Sequence, residues 1–198
     1  MQNAMWTFWT RGYHATSIDD LVKTTGVARS GIYAEFGGKE EAFANCLEHY
    51  REAVAGPAIA ILTNHESGLK AIRAYFGFFI ERHRQHGLPG PGCFLANSVT
   101  EMAPHSQAAL ETASAHRRDL QQGFKAALCR AAFELNSHAA PDDLDGLANF
   151  LAVASQGLWS YARAMDDIAE LEQFAREILA LVEARLSNFG DAGDDCQA

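Results

Sequence analysis

Arg29, Ser30 and Gly31 follow directly on a Gly26-Val27 turn and open a short run with helical apolar spacing. That placement suits contact with a polyanion. A helix N-terminus presents unpaired backbone N–H groups to phosphate, and an arginine there can hold a phosphate or meet a guanine edge with two parallel hydrogen bonds. Gly31 would let the helix backbone come close to its partner. The other reactive side chains form no comparable set. The four cysteines, Cys46, Cys93, Cys129 and Cys196, are scattered without a C-x-x-C pair or a neighbouring Cys/His cluster, so no structural zinc site is expected. Cys93 reads as a small buried hydrophobe rather than a reactive thiol. His83 and His86 are three residues apart, yet Arg82 and Arg84 flank them and no third ligand is near, which fits a solvated face. The Gly-Leu-Pro-Gly-Pro-Gly run at 87–92 has neither the preceding strand nor the Gly-Lys-Ser/Thr ending of a phosphate loop. No Ser/His/Asp or Cys/His order with a recognisable signature occurs, so an enzyme is not expected. No cofactor or metal is assigned.

Three short helices are needed to position Arg29. The first is expected over residues 4–11, closed by Gly12. The second starts at Thr16 or Ser17 as N-cap, with Asp19 and Asp20 in a first turn that favours carboxylates, and stops at Gly26. The third runs from about Ala28 to Phe36 and ends at Gly37-Gly38. Ile18, Leu21, Val22, Val27, Ile32 and Phe36 form the expected mini-core, leaving Arg29, Ser30 and Gly31 outward. This is the layout of a helix-turn-helix, in which the third helix enters the major groove and the second crosses the backbone. A longer helix follows from Lys39 to Ala55, with Gly56-Pro57 expected to kink or end it.

Composition agrees with an all-α chain. It has 198 residues, 48% hydrophobic and 21% charged, with only 5 prolines. No apolar run approaches the ~18 residues of a membrane span, and the N-terminus lacks a signal-peptide pattern, so a cytoplasmic protein with no membrane partner is expected. The net charge is -9. Residues 1–50 hold four basic side chains (Arg11, Lys23, Arg29, Lys39) against six acidic ones, a weak endowment for phosphate neutralisation.

Downstream, helices are expected at 69–86, 93–102, 105–136, 141–165 and 168–189, with an acidic disordered tail over 190–198. Leu144, Leu147, Leu151, Ala154, Leu158, Tyr161 and Met165 step by threes and fours, as do Leu171, Phe174, Ile178, Val182, Leu186 and Phe189. Phe150, Trp159, Leu179 and Leu181 fall outside these seams, so each helix is apolar on more than one side, as a helix facing both its own core and a second copy would be. The aromatic set Phe76, Phe79, Phe94, Phe124, Phe150 and Trp159 is read as core from its periodicity alone.

The run Gly12-Tyr13-His14-Ala15-Thr16-Ser17-Ile18-Asp19-Asp20-Leu21, then Gly26 to Phe36 with its Tyr33-x-x-Phe36 pair, then Lys39-Glu40, resembles the DNA-binding domain of the tetracycline-repressor (TetR) family. The resemblance implies about nine helices, with a helix-turn-helix domain at 1–50 and a ligand-binding and dimerisation domain at 51–189. It implies a homodimer binding palindromic operator DNA and released by a small, largely apolar effector. Thr16, Ser17, Tyr33 and Lys39 would contact phosphates, and Ala28, Arg29, Ser30 and Gly31 would lie nearest the bases. Phe76, Phe79, Cys93, Asn97, His116, Phe124, Gln156 and Trp159 become candidates for an effector pocket. Leu147, Leu151, Leu158, Tyr161, Phe174, Ile178 and Val182 become candidates for the dimer interface. Family members usually carry about a dozen further residues, often basic, before the position of Ala4. The alternative is therefore a helical dimeric small-molecule-binding protein whose truncated N-terminus no longer binds DNA.

Overall fold

The first three helices are closed by backbone signals that only particular residues supply. The computed structural model describes residues 1–102 and 106–191, with side chains through 189. Helix α1 spans Gln2–Arg11, α2 Ile18–Thr25 and α3 Arg29–Phe36. Gly12, Gly26 and Gly37 end them with φ of 85°, 73° and 79°, a backbone region that costs other residues appreciable strain. Ser17 is the N-cap of α2: its side chain accepts from the Asp20 amide at 3.1 Å, while the Asp20 carboxylate accepts from the Ser17 amide at 2.9 Å. Leu21 and Ile32 are fully buried, and Ile18, Val22, Val27 and Phe36 half-buried around them, giving the expected mini-core.

Helix α4 begins as Lys39–Tyr50. Proline 57 has no N–H, and its ring would strike the carbonyl of residue 53 in a regular helix. The chain meets this with a π-helical turn over Arg51–Ala55, closed by the Gly56 N–H donating to the Arg51 carbonyl, and the helix resumes as Gly56–Asn64. The break expected at Gly56-Pro57 is thus a bulge. The remaining helices are α5 Gly68–His86, α6 Phe94–Met102, α7 Gln107–Glu134, α8 Pro141–Tyr161 and α9 Ile168–Asp191. Counting α4 with its bulge as one, the described residues form nine helices. Helix α9 continues through Gly190 and Asp191, two residues of the expected disordered tail; the rest of that tail, 192–198, lies outside the described residues. None of the described helices is long and apolar enough to cross a membrane.

Among the described residues two compact units are formed, one of residues 1–56 with 91–102 and 106–116, the other of residues 57–90 with 117–191. Residues 91–116 pack with the first unit because it has an aromatic core of its own. Phe94 lies edge-on to Phe43 and Tyr50 at 5.5 and 5.8 Å, and the Trp9 indole N–H donates to the Gly92 carbonyl at 2.9 Å. Phe94, grouped in sequence with the downstream aromatics, therefore belongs to this core.

In the second unit α5 packs along α9. The start of α5 crosses α7 so closely that a Cβ on Gly68 would lie 2.1 Å from the Ala127 carbonyl oxygen. Glu134 on α7 caps α5, accepting from the Gly68 amide at 2.8 Å and the Ser67 hydroxyl at 3.1 Å. Leu151, Leu158, Ile178 and Val182 are buried at 3% exposure or less. The seam they define faces this unit's own core, which corrects their assignment to the dimer interface. Leu147 and Phe174 are half-buried, and of the seven candidates only Tyr161 is exposed, at 64%. The outward apolar side of α8 and α9 is instead Phe150, Val153, Tyr161 and Leu181. Both stripes satisfy helical periodicity, and burial goes to the one carrying more leucine and alanine volume that can interlock.

Candidate nucleic-acid interface

The tip of α3 is open to solvent. Ala28, Arg29 and Ser30 are exposed, Gly31 half-buried and Tyr33 49% exposed. Ala28 is the N-cap residue and makes no side-chain cap, so the first-turn amides of α3 keep their capacity to meet an anion. Gly31 has an internal reason as well as the external one: a Cβ there would sit 2.8 Å from Val27 Cγ1. The turn between α2 and α3 could not close unchanged over a larger residue.

Arg29 is not a loose cation. Its Nη2 donates to Asp19 Oδ1 at 2.6 Å, with both side chains more than half exposed. That hydrogen bond, with smaller contributions from Tyr33, holds the guanidinium above its ordinary pKa. Arg11 pairs with Asp20 at 3.2 Å. Asp20 itself is held below the usual carboxylate range, first by the Ser17 hydroxyl and amide and then by Arg11 and Lys23.

Thr16 requires correction as a phosphate contact. It is fully buried, and its hydroxyl donates to the Gly12 carbonyl at 2.7 Å, four residues back across the α1–α2 turn. Ser17, next to it, is the exposed hydroxyl. Lys39 is half-buried with its ammonium 4.2 Å from the Tyr13 ring centroid, and burial lowers its pKa against the opposing pull of Glu101 and Asp20. It stands at the first position of α4, beside the α1–α2 turn.

The sequence reading missed Glu101. From α6 its carboxylate accepts the backbone N–H of Tyr13 at 2.9 Å and of His14 at 2.7 Å. Gly12 makes room for it, since a Cβ there would come within 2.8 Å of Glu101 Oε2. Gly12 is visible as a helix stop, but Glu101, 88 residues beyond Tyr13, leaves no local signal.

The effector candidates divide between the units. In the second, Phe76, Phe79, Phe124 and Trp159 interlock: Phe79 lies 4.8 Å from Trp159, Phe76 6.0 Å from Trp159 and 6.3 Å from Phe124, between ring centroids. Tyr75 joins them, 5.0 Å from Phe124 and accepting the Trp159 indole N–H at 3.4 Å. His83, expected on a solvated face, is half-buried and stacks on Trp159 at 6.1 Å. Gln156 in the same unit is half-buried, whereas Phe150 points outward. Cys93, Asn97 and His116 belong to the first unit. Cys93 and His116 are buried there, the Cys93 thiol is pushed up by desolvation, and the Asn97 amide donates to the Pro91 carbonyl at 2.9 Å.

Two short helices joined by a glycine turn, the second with an open N-terminus carrying an arginine, define a helix-turn-helix protein. Comparison with known proteins makes this particular. Residues 1–46 match the family described as bacterial regulatory proteins, tetR family, and residues 68–178 match the tetracyclin repressor-like C-terminal domain. The chain is 32% identical to the HTH-type transcriptional repressor ComR of Escherichia coli (strain K12), over 91% of this chain and 86% of that protein. Among solved structures it is similar to CifR, a TetR family transcriptional regulator determined as a cysteine mutant complexed with 26bp double-strand operator DNA, at 26% identity and a TM-score of 0.74, covering 93% of this chain and 92% of that one. A TetR family regulator from Cytophaga hutchinsonii shares the fold at a TM-score of 0.79 and 17% identity, over 92% of this chain and 90% of that one. The chain belongs to the TetR family and is a transcriptional regulator.

Proposed function

We propose that the chain is a repressor that binds a pseudo-palindromic operator as a homodimer and is released by a small, largely apolar effector. The observation that carries the reading is the tip of α3, where Ala28, Arg29 and Ser30 stand exposed at a helix start with no side-chain cap, directly after the capped α2 and its Gly26 turn. Residues 1–50 supply the DNA contacts: Ser17, Tyr33 and Lys39 toward phosphates, and Arg29, Ser30 and Gly31 toward base edges. Residues 51–189 supply dimerisation and the effector site. The outward side of α8 and α9, with Phe150, Val153, Tyr161 and Leu181 exposed, is the face on which a second copy packs. Twofold pairing sets the two α3 helices about one DNA turn apart, roughly 34 Å. The solved complex of CifR with operator DNA supports the mode of binding. The effector acts by preferring a conformer in which that spacing is wrong, and its effect is bounded by its difference in affinity for the two states. The aromatic cluster of Phe76, Phe79, Phe124 and Trp159 is the apolar wall offered to it, with Gln156 of the same unit as the polar candidate. The protein acts in the cytoplasm, where its DNA lies.

The test is a band-shift titration with duplexes from the region upstream of the protein's own reading frame. A salt-sensitive shift of one such duplex that an unrelated duplex does not compete away is expected. Arg29→Ala lowers specific affinity by ~1–3 kcal/mol. A parent protein that shifts specific and unrelated duplexes alike refutes the reading.

A further inference from the structure

Asp19 has no assigned task, and its position is costly for a DNA-binding surface. It is exposed in the first turn of α2, on a head with four basic and six acidic side chains. Its neighbour Asp20 already completes the capping box with Ser17, so Asp19 adds only a first-turn charge to a helix start that is capped without it. An exposed ion pair contributes little to folding. A carboxylate facing phosphates also repels them. What the geometry does explain is the plane of a guanidinium. Arginine is a long, rotamer-rich side chain, and guanine readout needs two of its N–H groups aimed together at O6 and N7. The 2.6 Å bond from Arg29 Nη2 to Asp19 Oδ1 fixes one edge of that fork from a different helix, ten residues away, with a smaller hydrogen-bond contribution from Tyr33, and the guanidinium stays more than half exposed to meet a base.

We infer that Asp19 is a specificity-positioning residue: it holds the Arg29 guanidinium edge toward the major groove so that Arg29 reads one guanine in each operator half-site. Asp19 makes no base contact itself. The inference rests on the operator-binding reading above and adds to it the residue that sharpens the sequence preference. It gives up general affinity for discrimination, since the carboxylate cancels the charge that Arg29 would otherwise bring to the backbone.

The full-length chain and its Asp19→Ala, Asp19→Asn and Arg29→Ala variants are each used to select from one random-sequence duplex pool. Affinities are then measured for the parent's selected duplex and all its single-base-pair variants, at two salt concentrations. The parent is expected to select a twofold-related motif with a guanine in each half-site. Arg29→Ala abolishes the preference there, worth roughly 5- to 150-fold for a bidentate pair. Asp19→Ala erodes the preference at that same base pair while tightening binding to unrelated duplexes. Asp19→Asn, whose amide oxygen still accepts from Arg29, retains more of it than Asp19→Ala. If Asp19→Ala instead tightens binding uniformly and discriminates at every base pair like the parent, the residue is only a repelling charge and the inference falls. It falls equally if Arg29→Ala keeps the guanine preference. If the parent selects no motif, the operator reading fails first and takes the inference with it.

Discussion

Removing the Glu101 carboxylate should loosen the DNA-binding head from a distance, and the structure permits an estimate of how much. The two bonds at issue join the α6 carboxylate to the amides of Tyr13 and His14, at 2.9 and 2.7 Å. Hydrogen bonds to a charged acceptor contribute ~1.5–3 kcal/mol when water is kept away. The His14 amide is exposed and can turn to solvent, whereas the Tyr13 contact is partly buried. Glu101→Ala should therefore cost about 2 kcal/mol, most of it at Tyr13, which for a chain of this length lowers the melting midpoint by roughly 4–8 °C. Glu101→Gln keeps an acceptor without the charge and should lose about half as much. Gly12 supplies an internal control. Gly12→Ala meets two obstacles, a φ of 85° and a Cβ only 2.8 Å from the Glu101 carboxylate. In the Glu101→Ala background only the first remains, ~1–3 kcal/mol of backbone strain. The double variant should accordingly be less destabilised than the sum of the single ones. The measurement is thermal unfolding by circular dichroism together with amide hydrogen exchange at Tyr13 and His14. Should Glu101→Ala melt within about 1 °C of the parent, or should those two amides exchange at the parent's rate, the carboxylate does not hold this turn.

The outward and inward sides of α8 separate cleanly by substitution. Phe150→Arg is expected to yield a well-folded monomer by light scattering, while Leu151→Ala, fully buried, should keep the parent's assembly but lose ~2–5 kcal/mol of stability; a Phe150→Arg protein that remains a dimer would contradict the docking face. Asp20 titrates below the ordinary carboxylate value in the folded head, so the stability it confers is complete above the unfolded-state pKa and is lost as pH falls through the folded one. Asp20→Asn should flatten this acid limb of a stability-against-pH curve measured from about pH 6 down to pH 2, and an unchanged limb would remove Asp20 from the account. Burial pushes the Cys46 thiol up to about 12, and Cys93 is also raised, whereas Cys129 is exposed. Iodoacetamide at about pH 8 should label Cys129 in the native protein and reach Cys46 and Cys93 only on unfolding, as peptide mass mapping would establish; native labelling of Cys93 would show its site to be open.

How far the sequence discloses the molecule depends on the range of the interaction concerned. The head was legible because its signals are local: Gly12, Gly26 and Gly37 stop helices, Ser17 with Asp20 starts one, and the apolar spacing between them has a single inward solution. Where two neighbours share a chemistry the reading blurs. Thr16 and Ser17 are adjacent hydroxyls, and the path of the backbone decides that Thr16 turns back to Gly12 while Ser17 caps. The seam on α8 and α9 failed for a different reason. Periodicity reports that a stripe is apolar but not what covers it, and both helices carry two such stripes, so Leu151 and Phe150 change places between expectation and structure. Glu101 and the Gly68 crossing were out of reach altogether, because each is a contact with distant backbone that leaves no pattern in the residues around it.

The weak positive charge of the head is better understood from its pairings than from its sum. Arg11 is tied to Asp20, Arg29 to Asp19, and Lys39 lies over the Tyr13 ring. Three of the four cations in residues 1–50 are thus held in defined geometry. Such a head has little to gain from non-specific attraction, whose strength follows the number of phosphates neutralised. What it has instead is shape: an open helix N-terminus, a glycine that admits close approach, and donors whose directions are fixed before contact. Ordering these groups in the free protein leaves less entropy to be lost on binding, and the proposed doubling of the head through α8 and α9 would add the second half-site at the cost of a single association. In the dimer proposed above, affinity assembled this way would be conditional on the spacing of the two heads, and spacing rather than charge would be the quantity for the proposed effector to change.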